Sequence, residues 1–598
     1  MSASNPTAVD NSESLRSSAS STNGYSNNED KNLAMENEEQ EQDPEPLTDE
    51  NFFTNDAANP QQLEAGQLNK FRTATDEMSE VESNIELQRR VTRQTLGYDD
   101  LVKTATSTSK PMPPMGNGRP FPPHPGSRDP YVVQFDGPDD PDHPKNYTLW
   151  RKLTYTAAVA MSALSVSMGS AMFAEATEEL MVIYHIGTSV AALGTSLFVF
   201  GFAAGPVIYG PLSELFGRKI IMVPSCLGYT CFSFAVATAK DLQTIMICRF
   251  FAGFIGAAPL VVAPAVMADM FTARTRGTAI TIFAMVLFGG PMLAPILGGF
   301  TVKNSALGWR WTSYFCGIIG AFALVLNAFV LQETHHPIIL KRRAEELRRR
   351  TGNWGIYAPH EEITLDIKEI CEKNIMRPLV MLFTEPIIFL ISLYNAFIYG
   401  MLYLFLTALP LIFIGNYHWS QGVGELPYLS MLIGVFIGGG AIMFFEKRYN
   451  QKMDANGGKP VPEERLPPLM VGGFTFVIGM FWLGWSGAYA EHVHWIVPTI
   501  GAAFVGNGLM MIFLPCFNYI IDCYLLYAAS ALAGNTFIRS AFGAAFPLFA
   551  RQMFVNMKIQ WASTLLGCLG LAMIPVPFLF YKFGKRVRAH SKYAFVLE

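Results

Sequence analysis

Charge is scarce in this chain. Asp, Glu, Lys and Arg make up 16% of its 598 residues, against about a quarter in ordinary soluble domains. Half of the residues are apolar, which excludes a wholly soluble globule. Cysteine is thin as well: Cys226, Cys231, Cys248, Cys316, Cys371, Cys516, Cys523 and Cys568. Most lie inside apolar runs and none forms a C-x-x-C pair, so neither a zinc site nor a disulfide framework is expected. His335 and His336 are adjacent and have no matching acid cluster in the apolar runs, so no catalytic set, metal site or cofactor is expected. Residues 1–30 contain no apolar core. A cleavable signal peptide is therefore not expected, and the first apolar span must act as the insertion signal.

The charges that are present divide unevenly. Residues 1–150 carry 26 acidic and 12 basic residues, a net of −14, so the remainder of a chain at −5 must carry +9. Residues 1–126 are rich in Ser, Asn, Thr, Glu and Pro. They bury too little apolar surface to offset ordering entropy, and a disordered acidic tail is expected. A pre-membrane segment, 127–152, ends in Trp150-Arg151-Lys152, which suits a membrane interface.

Twelve apolar runs follow, near 153–175, 188–209, 220–239, 242–266, 278–300, 312–332, 383–405, 427–445, 468–487, 495–519, 528–550 and 560–581. Each is long enough to cross a bilayer. The polar stretch 333–382 divides them into halves, 153–332 and 383–582, with a short tail at 583–598. The expected fold is an all-α membrane protein of twelve helices in two pseudo-symmetric six-helix halves. Within the central stretch, Lys341 to Arg350 reads as a surface helix with a solvated basic face.

The most informative stretch is Gly210-Pro211-Leu212-Ser213-Glu214-Leu215-Phe216-Gly217-Arg218-Lys219. It is confined between the second and third spans, so Glu214, Arg218 and Lys219 sit in a tight turn at the membrane surface. The pattern G-x-L-x-[DE]-x-x-G-[RK]-[RK] resembles the signature loop of the major facilitator superfamily of transporters. Basic residues gather on the same side: Arg274, Arg276, the 341–350 cluster, Lys447, Arg448, Lys585, Arg586 and Arg588. That side is expected to be cytosolic, with both termini. Asp269, near the same end of span four, is expected to pair with Arg218 when the cytosolic gate is closed. A weak echo after span eight, Gly440 with Glu446-Lys447-Arg448, fits two related halves.

Charges inside spans are costly and usually functional. Arg249 lies in span four, either as a functional cation near Glu175 or as a structural arginine satisfied by backbone carbonyls. Glu175 closes span one and Glu425 begins span eight; each is a proton-coupling candidate or an interfacial glutamate. Asp522 ends span ten and Glu385 enters span seven, with the same alternatives. Tyr399 and Tyr403, spaced i, i+4, share a face of span seven and either bind a cation or pack. Asn535 and Arg539 lie inside span eleven and, with Tyr399 and Tyr403, are the substrate-cavity candidates; Arg539 needs a partner or a wet cavity.

Gly290-Pro291, Pro295 and Gly298-Gly299 in span five resemble the antiporter signature of drug:proton exchangers, with Ala294 where glycine is frequent. The stretches from Cys248 to Ala258, Glu333 to Pro337, Asn518 to Ala531 and Asn535 to Ser540 resemble the fungal drug:proton antiporter-1 family. Asn353 to Tyr357 and Gly424 to Tyr428 look like its yeast polyamine exporters. The resemblance covers 127–598. It implies plasma-membrane efflux of polyamines, drugs or weak acids, driven by inward proton flow. The partners implied are a cationic or amphiphilic small molecule, protons and the lipid bilayer, with no nucleic acid and a monomeric chain. Nutrient uptake and a membrane sensor are the alternatives.

Overall fold

The computed structural model describes residues 131–594, apart from Pro138 and 363–375. The tail expected over 1–126, like Cys371, lies outside the described residues.

The first half comprises α1 (Leu149–Met172), α2 (Thr177–Tyr184), α3 (Thr188–Leu215), α4 (Arg218–Thr238), α5 (Leu242–Gly256), α6 (Ala258–Met270), α7 (Ala273–Lys303) and α8 (Arg310–Phe329). The connecting helix is α9 (His336–Thr351). The second half comprises α10 (Arg377–Thr384), α11 (Pro386–Pro410), α12 (Tyr428–Ala455), α13 (Pro467–Ala488), α14 (Ile496–Cys523), α15 (Ala528–Met557), α16 (Ile559–Met573) and α17 (Pro575–Ala589). Among the described residues, eleven helical segments are long and apolar enough to cross a membrane. The twelfth span is α15. It has the length, 30 residues, but Asn535, Thr536, Arg539 and Ser540 dilute its apolar character.

Three spans are broken, each for a local reason. Span one ends its α-helix at Met172 and continues as a tighter turn, Phe173–Ala176, before α2. Span four changes from α5 to α6 at Ala257, with Pro259 in the first turn of α6, where a missing N–H costs nothing. Span twelve breaks ahead of Pro575 in the same way. Several ends are capped as their residues dictate: Asp241 Oδ2 accepts from Thr244 N at 2.8 Å at the start of α5.

The two halves repeat one packing device. A Cβ on Gly253 of α5 would strike the Phe198 carbonyl of α3. A Cβ on Gly434 of α12 would likewise strike the Ala503 carbonyl of α14. Spans two and four of the first half thus touch backbone to backbone, as spans eight and ten do in the second. With no water to expel between helices in lipid, such close approach is what holds them. Between the halves, α3 packs along α15 and α7 along α12.

The basic helix α9 departs from the expected solvated face. Arg343 is buried and held by two carboxylates: Nη1 pairs with Asp140 Oδ2 at 3.0 Å and Nη2 with Asp142 Oδ2 at 2.8 Å. Arg348 pairs with Glu361 at 2.6 Å. Val133, Ala344, Leu347, Ile356 and Ala358 form a small core beneath them. Val133 N also donates to Tyr357 O at 2.9 Å. The cluster therefore ties the pre-membrane segment to the central stretch, because apolar residues on the inner side of α9 pull two of its arginines out of water.

Candidate functional site

A cavity of about 430 Å³ lies between the halves. Its mouth is on the face that carries the 210–219 loop, lined by Gly210, Glu214, Arg218, Arg276, Arg465 and Asp522. Its interior is mostly apolar and aromatic, with Phe202, Phe288, Pro291, Tyr399, Phe513, Phe517 and Arg539. On the opposite face the halves meet: Lys303 Nζ donates to Ser420 Oγ at 2.9 Å and Gln552 Nε2 to Ser189 Oγ at 2.8 Å.

At the mouth, Arg218 Nε reaches Asp269 Oδ2 at 3.1 Å; the pair expected of a closed gate is here made with the cavity open on this face. Its Nη1 donates to Ser213 Oγ at 2.7 Å. Gly217, at φ 103°, makes the turn into α4. A side chain there would also run into the Glu333 carboxylate. That carboxylate is the component the sequence did not expose. Its Oε1 accepts from Arg218 N at 2.8 Å and its Oε2 from Lys219 N at 3.3 Å, so it caps α4 from beyond span six. Negative charge at a helix N-terminus is stabilising. Lys219 spends its ammonium on Ala328 O at 2.9 Å. Glu214 is exposed at the lip.

The second half carries a matching arrangement, which takes Glu446 from the echo motif but its arginine from further along the chain. Arg465 Nε pairs with Asp522 Oδ2 at 2.9 Å and Arg465 Nη1 with Glu446. Tyr449 donates its hydroxyl to Asp522 at 2.7 Å and lies 3.4 Å beneath the guanidinium. Lys447 and Arg448 are exposed. Arg218 opens span three and meets the end of span four; Arg465 precedes span nine and meets the end of span ten. The symmetry is in place along the helices, not in motif spacing, because α12 continues past Glu446 to Ala455 before the loop that leads to Arg465. Asp522 is thereby a paired carboxylate at the mouth.

Deeper in, Arg539 lies over the rings of Tyr399 (4.7 Å), Phe513 (5.2 Å) and Phe517 (5.4 Å). Its Nε has no hydrogen-bond partner. The cation on the Tyr399 face is thus the protein's own. Tyr403 is buried behind it, within 2.9 Å of Ser170 Oγ and 3.3 Å of the Tyr399 hydroxyl. Asn535 turns from the cavity toward α11: its Oδ1 accepts from Asn395 Nδ2 at 3.0 Å, and its Nδ2 donates to Ser392 Oγ at 3.1 Å. Glu385 is also bound locally, accepting from the Tyr524 hydroxyl at 3.0 Å.

Arg249 is held by carbonyls and rings, with its Nη2 left without a partner. Its Nε donates to Gly194 O at 2.9 Å and its Nη1 to Gly169 O at 2.8 Å, while Phe173 and Phe198 sandwich the guanidinium at 4.6 and 4.3 Å. Among the described residues it has no ion pair, so the expected approach to Glu175 is not made. Glu175 and Glu425 instead lie buried at the closed face, beside Gly298 and Gly299 of α7.

A helical bundle in two similar halves, with paired charges at one face and a cavity between them, is the architecture of a carrier. The sequence profile of the Major Facilitator Superfamily matches residues 157–547. The chain belongs to the Major Facilitator Superfamily. Members of this superfamily are transporters, not enzymes, and this one is a multi-pass membrane protein that handles small molecules. It is 76% identical over 523 residues to the multidrug transporter FLU1 of Candida albicans, covering 88% of this chain and 86% of that one. It is 49% identical to the multidrug transporter TPO1_2 of Candida glabrata, over 89% and 91% of the two chains. The xylose transporter XylE of E. coli, in a partially occluded inward open conformation, shares the fold alone: TM-score 0.51 and 17% identity, over 73% of this chain and 98% of that one.

Proposed function

We propose that this facilitator exports polyamines and amphiphilic drugs across the plasma membrane in exchange for protons, by alternating access. The observation that carries the reading is the cavity between the halves, open on the basic face and closed on the other. Basic loops are retained on the cytosolic side, so the open mouth faces the cytosol and can load cargo there. The aromatic interior suits a flat amphiphile, and the ring of Tyr399 suits an amine once Arg539 moves aside. The names of the relatives support drugs as cargo. Protons couple through intramembrane carboxyls, of which Glu175 and Glu425 are buried, Glu425 without a hydrogen-bond partner, and Asp522 is paired with Arg465. The two halves rock about the central cavity as cargo and protons favour different states.

The test is cargo retention in cells lacking the chain and in cells restored with it, with and without a proton gradient. Restored cells should retain less cargo, and a protonophore should abolish the difference. Faster accumulation in restored cells would establish uptake instead. Unchanged retention together with an altered transcriptional response to the compound would favour a sensor.

A further inference from the structure

Glu175 comes from the turn that follows α1, Glu425 from the turn that precedes α12. They belong to different halves yet share one seat. A Cβ on Gly298 would lie 2.7 Å from Glu175 Cγ; a Cβ on Gly299 would lie 2.9 Å from Glu425 Cγ and 3.1 Å from Gly422 Cα. Successive residues on a helix point about 100° apart. The Gly298-Gly299 step therefore presents two adjacent bare sides, each filled by one glutamate. Glu425 is fully buried, and neither of its carboxyl oxygens has a hydrogen-bond partner.

Among the described residues no cation is ion-paired with either glutamate. Lys303, a little over one turn further along α7, is bound to Ser420; Arg249 gives Nε and Nη1 to the carbonyls of Gly194 and Gly169 and leaves Nη2 without a partner. Arg310 donates to Ala237 O and Ala239 O at 2.7 and 2.8 Å. The remaining titratable groups on the packed elements do not help. Glu178 is exposed, Glu179 accepts from Trp309 N at 3.0 Å, and Tyr428 donates to Phe405 O at 2.8 Å. His418, on the loop before α12, is exposed. An ionised carboxylate sealed in this way costs several kcal/mol, and two facing each other across an interface repel. A seal selected only for adhesion would use apolar side chains.

We propose that Glu175 and Glu425 form a proton-operated seal: the closed face holds only when its carboxyls take protons from the water on that side, and their ionisation releases it. The inference rests on the exporter reading for calling that water extracellular. Closing consumes protons from outside, so external acidity drives the chain back toward the state that loads cargo. Gly298 and Gly299 are then more than part of an antiporter pattern; they are the cradle in which one carboxyl from each half is dehydrated.

Outward accessibility tests the seal without measuring transport. Ala294, fully buried one turn below Gly298, becomes a reporter as Ala294→Cys. Glu491→Cys, on an exposed loop of the same face, corrects for the pH dependence of the thiol reagent, and the parent chain gives the background. Full-length protein is labelled with an impermeant maleimide in right-side-out and inside-out vesicles. The corrected signal should rise about tenfold as the outer bath goes from ~pH 5 to ~pH 8, since proton occupancy changes up to tenfold per unit. In the Glu175→Gln/Glu425→Gln background, which keeps shape without titration, it should stay low and flat. A flat wild-type profile overturns the proposal, as does a rise that survives in the double variant. Signals are taken per molecule of inserted chain, and the wild-type arm decides even if the variant inserts poorly. A response confined to inside-out vesicles supports the seal and overturns the exporter orientation.

Discussion

The two ends of the transport path are built from opposite electrostatic choices. At the mouth, Asp269 has Arg218, while Asp522 and Glu446 share Arg465. At the closed face, among the described residues, Glu425 and Glu175 have no ion pair, although Lys303 and Arg249 lie on neighbouring elements. Ion pairs tie the carboxylates at the mouth to cations, whereas Glu425 at the closed face has no hydrogen-bond partner. On the proposal above, the mouth holds the conformation and the far end responds to protons.

The largest effect should come from Arg465. Arg465→Ala leaves Asp522 and Glu446 buried without their cation, and breaking such a pair costs about 3–5 kcal/mol. Thermal unfolding in detergent should show a lowered midpoint and transport should be lost. Arg218→Ala removes the partner of one carboxylate, not two, and Asp269 keeps the Thr334 hydroxyl at 3.4 Å. Its stability loss should be smaller, with transport impaired at normal membrane delivery. Equal losses in the two variants would break the view that Arg465 is the heavier tie.

At the far end, Gly299→Ala should cost about 1–3 kcal/mol by overpacking against Glu425 and the Gly422 backbone. The cost should fall mainly on the closed-face state, and so appear as raised maleimide labelling from that side at every pH. A loss of stability with no change in labelling would mean that the glycine serves general packing.

The smallest effect concerns the histidines behind the mouth. Burial, with Arg218 as a lesser cause, lowers His335 to about 3, and burial with His143 beside it lowers His336 to about 4. Both are neutral in the folded chain and take up protons more readily when it unfolds. Their contribution is therefore full above the ordinary histidine value of 6.5 and is lost as pH falls through the window down to about 4, then about 3. His336→Phe, which removes one titration next to the Phe135 and His143 rings, should flatten part of the acid-side fall in melting temperature. An unchanged pH profile would place the acid sensitivity elsewhere.

Much of this was legible in the residues. Twelve apolar runs in two groups of six, and the 210–219 loop with Arg218 opposite Asp269, follow from run length and local pattern. Arg249 was open between two courses, and the structure adds two carbonyl contacts and an Nη2 without a partner. Asn535 was expected to line the cavity and faces α11, because rotation of α15 about its axis is set by packing against two neighbours. Arg343 read as solvated, since nothing local says that Asp140, about two hundred residues earlier, will cover it.

The sequence by itself determined which segments cross the membrane, which ends share a face, and where charge enters the apolar layer. Hydrophobic length and local turn chemistry carry that information, and neither needs a partner. Only the tertiary structure decided that Glu333 caps α4, that Arg465 and not Arg448 meets Asp522, and that glutamates from two halves rest on Gly298-Gly299. These contacts join residues far apart in the chain. They depend on how each helix is turned and how closely its backbone approaches the next, which the packing of the whole bundle sets.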